Sequence, residues 1–306
     1  MEIRKIIALT DFSTCARLAY APAAEWARRF GASVFLVHAF PPQFDGAQVH
    51  VEGRKNVTVD YREALEERLD AEVCNALLRE CRPRAVLLSG RAPDVVIDFA
   101  EKEKADLIIQ SSHGRSGWSR AFLGSFAEGV IRRSSIPVLT FRGEREGNLA
   151  PRRILYPFDF SDAARIPLET IRLLASAFES QVLVFHAIPT PPLLPLPVGA
   201  EPILAFHPEP PGLRDRLRSE LKGFADAELG GISHDVDIVR DDPGSVIVER
   251  AMIWRADLVA MATHGIGGIE GFLLGNTAEK VVRSAPCAVL TVRSSTCTAV
   301  KGKQDT

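Results

Sequence analysis

The sequence predicts an α/β protein built from two tandem open-sheet domains, and three observations lead there. The chain has 306 residues, more than the ~100–200 typical of one domain. It repeats itself once. Within each copy, short runs rich in Val, Ile and Leu alternate with longer amphipathic stretches. That alternation is the pattern of strands and right-handed crossover helices in a mostly parallel sheet.

The repeat sets the organisation. IIALTDFSTCAR at 6–17 returns as ILYPFDFSDAAR at 154–165, and VFLVHAF at 34–40 returns as VLVFHAI at 182–188. ADLIIQSSHG at 105–114 returns as ADLVAMATHG at 256–265, and FLGSFAEGVIRRSSIPVLTFR at 122–142 returns as LLGNTAEKVVRSAPCAVLTVR at 273–293. The offset is 148 residues for the first two blocks and 151 for the last two. A long, ordered repeat of this kind marks a duplicated domain. The expected division is a first domain at 1–145, a second at 151–295 and a tail at 296–306, with the seam in GEREGNLAP at 143–151.

In the first copy, unbroken apolar runs such as VFLVHAF predict strands covered on both faces. Strands are expected near 5–10, 34–40, 85–89, 106–111 and 137–142, and helices near 14–30, 61–81, 93–104 and 125–134. Pro22 and Pro167 fall inside the first helix of each copy and predict kinks there. Residues 41–60 read as a polar loop. Nine of the chain's 20 prolines lie between Pro189 and Pro211. With so many amide donors missing, that stretch is expected to be an extended surface loop.

Composition narrows the function. Apolar residues make up 46% and charged residues 25%, a globular balance that argues against wholesale disorder. Lys plus Arg number 37 against 39 for Asp plus Glu. The resulting charge gives no general attraction to nucleic acid or acidic membranes. Five cysteines (Cys15, Cys74, Cys81, Cys287, Cys297) form no CxxC pair, so neither a disulfide framework nor a zinc site is expected. Cys15 and Cys287 read as small core residues. The apolar run before Asp11 is too short for a signal-peptide core, and no run reaches the ~18 residues of a membrane span. The expected setting is the cytoplasm.

The stretch richest in chemistry is SSHGRSGWSRAFLGS at 111–125. It leaves a buried strand and enters a helix, at the sheet edge where parallel folds place their ligands. Gly114 and Gly124 have nine residues between them; glycines let backbone amides approach an anion. The helix start offers unpaired amides and the positive end of a dipole, and Arg115 and Arg120 add charge. Ser125-Phe-Ala-Glu128 also reads as a capping box. The loop is not a P-loop, because no Gly-Lys-Ser/Thr follows the glycines. No GxGxxG follows the first strand either. Asp11 has two readings of equal weight: a carboxylate accepting from ribose hydroxyls or an adenine amino group, or a cap for the helix near Ser13. His38 and His186 end the second strands, and His113 and His264 precede the loop glycines. Without an HxxxH or Cys/His cluster, these read as hydrogen-bonded imidazoles and not as metal ligands. Ser125, His113 and Asp11 lack the GxSxG nucleophile elbow, so no catalytic residue is assigned.

Taken in order, IIALTDFS, ADLIIQSSHG, HGRSG-x-x-R-x-x-LGS and IPVLTFR resemble the universal stress protein family. The second copy repeats them, so nearly the whole chain resembles a tandem member. The resemblance implies a five-stranded parallel sheet of order 3-2-1-4-5 in each domain. It also implies that some members bind ATP through a G-x-x-G-(nine)-G-Ser/Thr pattern while others bind no nucleotide. Carried over, it places an adenine nucleotide among Asp11, Val37, Ala39, Ser111, His113, Gly114, Arg115, Gly117, Gly124, Ser125 and Phe126. Ser111 stands where the pattern has Gly. The weaker second set is Pro157, Asp159, Gly265, Gly268, Gly275, Asn276 and Thr277. There Ala262 opens the pattern, Asn276 replaces the hydroxyl residue, and Glu270 lies between the glycines with no cation.

The expected ligand is therefore ATP, with Mg2+ accompanying the triphosphate, bound more tightly by the first domain of a non-enzymatic stress-response module. Two alternatives stay open: a slow ATP hydrolase, and a scaffold that binds no nucleotide. The expected partners are the nucleotide, the other domain through the last strands near 137–142 and 288–293, and a second copy in a homodimer, with no nucleic acid and no membrane.

Overall fold

The structure is a computed structural model that describes residues 2–50, 58–75, 77–112, 123–141, 150–190, 210–263 and 274–293. The first half runs β1 (Lys5–Leu9), α1 (Thr14–Arg17), α2 (Tyr20–Phe30), β2 (Ser33–Phe40), a hairpin of β3 (Gln48–His50) and β4 (Thr58–Asp60), α3 (Tyr61–Val73), β5 (Arg84–Ser89), α4 (Asp94–Glu103), β6 (Leu107–Ser111), α5 (Ser125–Arg133) and β7 (Val138–Phe141). The second half runs β8 (Arg153–Pro157), α6 (Asp162–Arg165), α7 (Leu168–Phe178), β9 (Gln181–Ile188), α8 (Leu213–Glu228), β10 (His234–Arg240), α9 (Pro243–Ile253), β11 (Leu258–Ala262), α10 (Asn276–Ser284) and β12 (Ala288–Val292).

The sheet order is β10-β9-β8-β11-β12-β7-β6-β1-β2-β5. Each half is parallel and follows the expected 3-2-1-4-5 order. The count differs from expectation in two ways: the halves fuse into one ten-stranded sheet, and the first half adds a separate β3-β4 hairpin within the stretch read as loop. The join is the antiparallel pair β7–β12, in which Leu139 faces Leu290, Val138 faces Thr291 and Thr140 faces Val289. Leu139 and Leu290 are the same position of the repeat, so a pseudo-two-fold axis passes between them.

Both sheet faces are covered. Tyr20, Trp26, Leu65 and Leu69 of α2 and α3 share one core with Ile171, Leu174, Leu221 and Ala225 of α7 and α8. Val96, Ala100, Val130 and Ile131 of α4 and α5 share the other with Val246, Ile247, Val281 and Val282 of α9 and α10. The axis is lined on each face by repeat-matched residues of both halves. Phe30 packs edge-on against Phe178 at 5.7 Å, with Trp26 5.5 Å from the same ring. On the opposite face Glu128 pairs with Arg132 at 2.6 Å and Arg283 at 3.5 Å, while Glu279 pairs with Arg283 at 2.9 Å and Arg132 at 3.9 Å.

The predicted 14–30 helix is two helices. Pro22 is the third residue of α2 and Pro167 precedes α7, where a helix needs no amide donor, so the chain breaks before the proline and does not kink at it. The predicted 61–81 helix likewise ends at Val73, with a single 3-10 turn at Arg79–Cys81. Residues 191–209 of the proline-rich stretch, the seam at 142–149 and the tail from 294 lie outside the described residues. No helix among the described residues is long and apolar enough to cross a membrane.

Candidate functional site

In each half the helices after the first two strands cover one face and those after the next two cover the other. The change of side falls between β1 and β6, which pair in register Ile6 to Leu107 and Ala8 to Ile109. Their carboxyl ends therefore open a crevice, the usual ligand position in such sheets.

On one side of it stands the β1 turn. The Thr10 amide donates to the Val37 carbonyl at 3.0 Å, and Thr10 Oγ1 accepts from the Phe12 amide and the Tyr20 hydroxyl. Burial, the largest cause, pushes the Tyr20 phenol well above its ordinary pKa. Phe12 takes a positive φ of 66°. Asp11 is half-buried, and its Oδ1 accepts from the Ser13 amide at 3.0 Å. The cap of α1 is Ser13, whose Oγ accepts from the Ala16 amide. Asp11 thus closes the turn and does not cap the helix, which corrects one of its two sequence readings.

On the other side, Ser111 ends β6 half-buried, and the Ser112 carbonyl accepts from the Gly124 amide at 2.9 Å. Gly124 is the N-cap of α5, with φ −62° and ψ 140°, and the Glu128 amide donates to its carbonyl. The predicted capping box does not form. Ser125 is already inside the helix, exposed, and Glu128 is drawn to Arg132 and Arg283 across the axis. A glycine cap carries no side-chain acceptor, so the first-turn amides of Ser125, Phe126 and Ala127 point out of the helix with the positive dipole end behind them.

Val37 is 1% exposed and packs in the core with Leu9 and Val130, so its side chain presents no surface to a ligand. Ala39 is half-buried at the strand end. His38 sits between them with Nδ1 2.8 Å from the Thr10 carbonyl and its ring tilted on Phe12 at 4.3 Å. That is the hydrogen-bonded strand-end imidazole expected of it. His113, Gly114, Arg115, Gly117 and Arg120 lie outside the described residues.

The second half reproduces this frame. Ser161 caps α6, Asp159 Oδ1 accepts from the Ser161 amide at 3.0 Å and its hydroxyl at 2.5 Å, and His186 Nδ1 lies 2.8 Å from the Phe158 carbonyl. Gly275 caps α10 and donates its amide to the Thr263 carbonyl, so Asn276 is no more a cap than Ser125. Thr277 is half-buried and Pro157 ends β8 half-buried. His264, Gly265, Gly268 and Glu270 lie outside the described residues. No cluster of three His, Cys, Asp or Glu with metal-holding geometry occurs among the described residues. Cys287 is buried as expected, whereas Cys15 is only half-buried on α1.

The model of the universal stress protein family matches residues 2–142 and again 151–293. The chain belongs to this family. A universal stress protein of Thermus aquaticus is 33% identical over 145 residues, spanning 46% of this chain and 98% of its own length. A universal stress protein of Mycobacterium tuberculosis is 24% identical over 194 residues, 63% of either chain. The crystal structure of a universal stress protein from Archaeoglobus fulgidus superposes with a TM-score of 0.68 at 20% identity, covering 94% of this chain and 98% of that one. The likeness therefore extends over both halves of the fold, as a tandem arrangement requires.

Sequence reading missed that Gly124 and Gly275 are the helix caps. The signal was present, since both glycines stand at the same repeat position and each is followed by a residue able to mimic a cap. It also missed Thr10, which organises the turn that carries Asp11.

Proposed function

We propose that this tandem universal stress protein binds an adenine nucleotide in its first half and works as a non-enzymatic, nucleotide-responsive stress module. The observation that carries the reading is the glycine-capped start of α5 at the β1–β6 crevice. Three first-turn amides and a helix dipole face the place where phosphates would lie. Asp11, held by its own turn, stands on the nucleoside side, and the strand end at Ala39 offers a flat edge for the base. Arg115 and Arg120 would bring charge to the phosphates, and a Mg2+ accompanying them would take its oxygens from phosphate and water.

One difference favours the first half: the second loop carries Glu270 where the first carries arginines. A carboxylate beside a triphosphate is unfavourable.

Calorimetric titration of the full chain with ATP tests this. A Cβ built on Gly124 would lie 3.5 Å from the Ser112 carbonyl oxygen, an ordinary contact. Gly124→Val places branched bulk at the anion cradle, and an unchanged melting temperature without ligand is the check that the fold is kept. The expected result is a loss of about tenfold or more in affinity, or ~1.4 kcal/mol, with little change in Gly275→Val. The reverse pattern would move the site to the second half. Absence of ATP binding by the wild type would leave a scaffold, and multiple-turnover phosphate release abolished by Gly124→Val would make the protein an ATPase.

A further inference from the structure

Position 24 and its repeat partner, position 172, do opposite things. In the second half Arg172 reaches from α7 across to the end of α8, where its Nε donates to the Glu228 carbonyl at 2.5 Å and its Nη2 pairs with the Glu228 carboxylate. In the first half the partner of Arg172 is Ala24. The partner of Glu228, counted back from the buried pair Leu78 and Leu229 that precede the edge strands, is Leu77. Both ends of the ion pair are gone together.

What remains is a groove of about 550 Å3 between α2 and the 3-10 turn at Arg79–Cys81. Its floor is apolar, with Ala24, Ala27, Leu77 and Cys81 among its lining residues. Its rim carries two carboxylates, Glu25 and Glu80, and one cation, Arg28. Arg28 pairs with Glu25 at 2.6 Å. Glu80 forms no ion pair among the described residues, and it is exposed. The groove is thus an aliphatic channel ending at Glu80. Its carboxylate lies near enough to add to the rise that Glu25 chiefly causes in the Arg28 pKa but forms no ion pair with Arg28, so the rim carries one net negative charge.

We propose that this groove is a site for a free alkylguanidinium cation, a small molecule with the shape and charge of the arginine side chain that stands at the equivalent position in the second half. The alkyl stem would lie along Ala24, Ala27 and Leu77. The planar guanidinium would present its paired donors to Glu80, a geometry that favours guanidinium over the more strongly hydrated ammonium. The site lies at the amino-terminal end of β2, away from the β1–β6 crevice, so the proposal stands independently of nucleotide binding.

Thermal unfolding of the full chain with n-butylguanidinium tests it, with the neutral n-butylurea as control. The expected outcome is a saturable rise in melting temperature of about 2–4 °C at roughly ten times the dissociation constant, and no rise with the urea. Ala24→Arg places the side chain in the groove and is expected to abolish the response. Glu80→Gln, at an exposed position that leaves the fold untouched, is expected to weaken it severalfold. An equal response from the urea, an undiminished response in both variants, or a response confined to an arginine-bearing peptide with none to the free cation would each overturn the proposal.

Discussion

Leu139 and Leu290, Phe30 and Phe178, and Glu128 and Glu279 are repeat partners that meet or nearly meet at the join, and each pair has kept its residue type. Ala24 and Arg172 never meet, and they have diverged into a groove and an ion pair. The exposed end of α4 reads Glu101-Lys-Glu-Lys, while that of α9 reads Met252-Ile-Trp-Arg, with Met252 60% and Ile253 62% exposed. The physical reason lies in the symmetry. A residue on the axis packs against its own image, so a change there must fit two environments at once. Away from the axis each half can trade volume locally. In the first half Pro93 lies over Gly129; in the second, the same two positions are Gly244 and Lys280, and the bulk has moved to the other helix.

The strongest way to break this comparison is to cut the axis. Trp26 is 2% exposed and touches Phe178 of the other half. Trp26→Ala is expected to cost about 3–5 kcal/mol in urea unfolding and to separate one transition into two. A loss below ~1 kcal/mol with a single transition retained would mean that the halves merely abut.

The volume trade can be sharpened with one substitution in each half. A Cβ at Gly129 would come within 2.8 Å of Pro93 Cγ and 3.3 Å of its Cδ, on a ring that cannot turn aside. Gly129→Ala is therefore expected to destabilise by about 1–3 kcal/mol, although alanine is the better helix former by ~1 kcal/mol. At Gly244 the nearest atom is Lys280 Cδ at 2.7 Å, on a flexible chain. Gly244→Ala is expected to cost less than ~1 kcal/mol. Equal losses in chemical unfolding would show that the two pairs are not local exchanges.

The strands were legible because they rest on long apolar runs and on a repeat that names its own partners, whereas their order and the join followed from the family resemblance. VFLVHAF and VLVFHAI are second strands in both halves, and the last strands pair as expected. What the sequence hid was decided by single residues whose competitors look alike. Ser125-x-x-Glu128 satisfies a capping box on paper, but the Glu128 carboxylate is claimed by Arg132 and Arg283, and the second of these lies 155 residues further along the chain. Asp11 and Ser13 both suit a cap, and only the turn made by Thr10 and the positive φ of Phe12 decides between them. Pro22 read as a kink because its place within the helix, third from the start, depends on where the chain breaks. The groove beside Ala24 could be foreseen only by aligning the two halves and asking which side chains one of them lacks.

A smaller effect separates the halves at the start of α4 and α9. Asp242 caps α9 through the Ser245 amide and holds Lys280 at 2.8 Å; its repeat partner is Arg91. The Lys280 ammonium, chiefly, together with the Ser245 amide, draws the Asp242 carboxyl down to about 2, below the ~3.9 of an unfolded aspartate. A depressed folded value means stability that is fully present above about pH 4 and lost as pH falls through about 2. The side chain is 56% exposed, so solvent screening reduces the contribution to a few tenths of a kcal/mol. Asp242→Asn keeps a cap acceptor and removes the charge. Thermal unfolding is expected to show the variant weaker by about that amount at pH 6, with the gap closing by pH 2. A gap that stays constant down to pH 2 would assign the effect to cap geometry alone, and the second half would then owe nothing at this helix to the carboxylate that stands where the first half has Arg91.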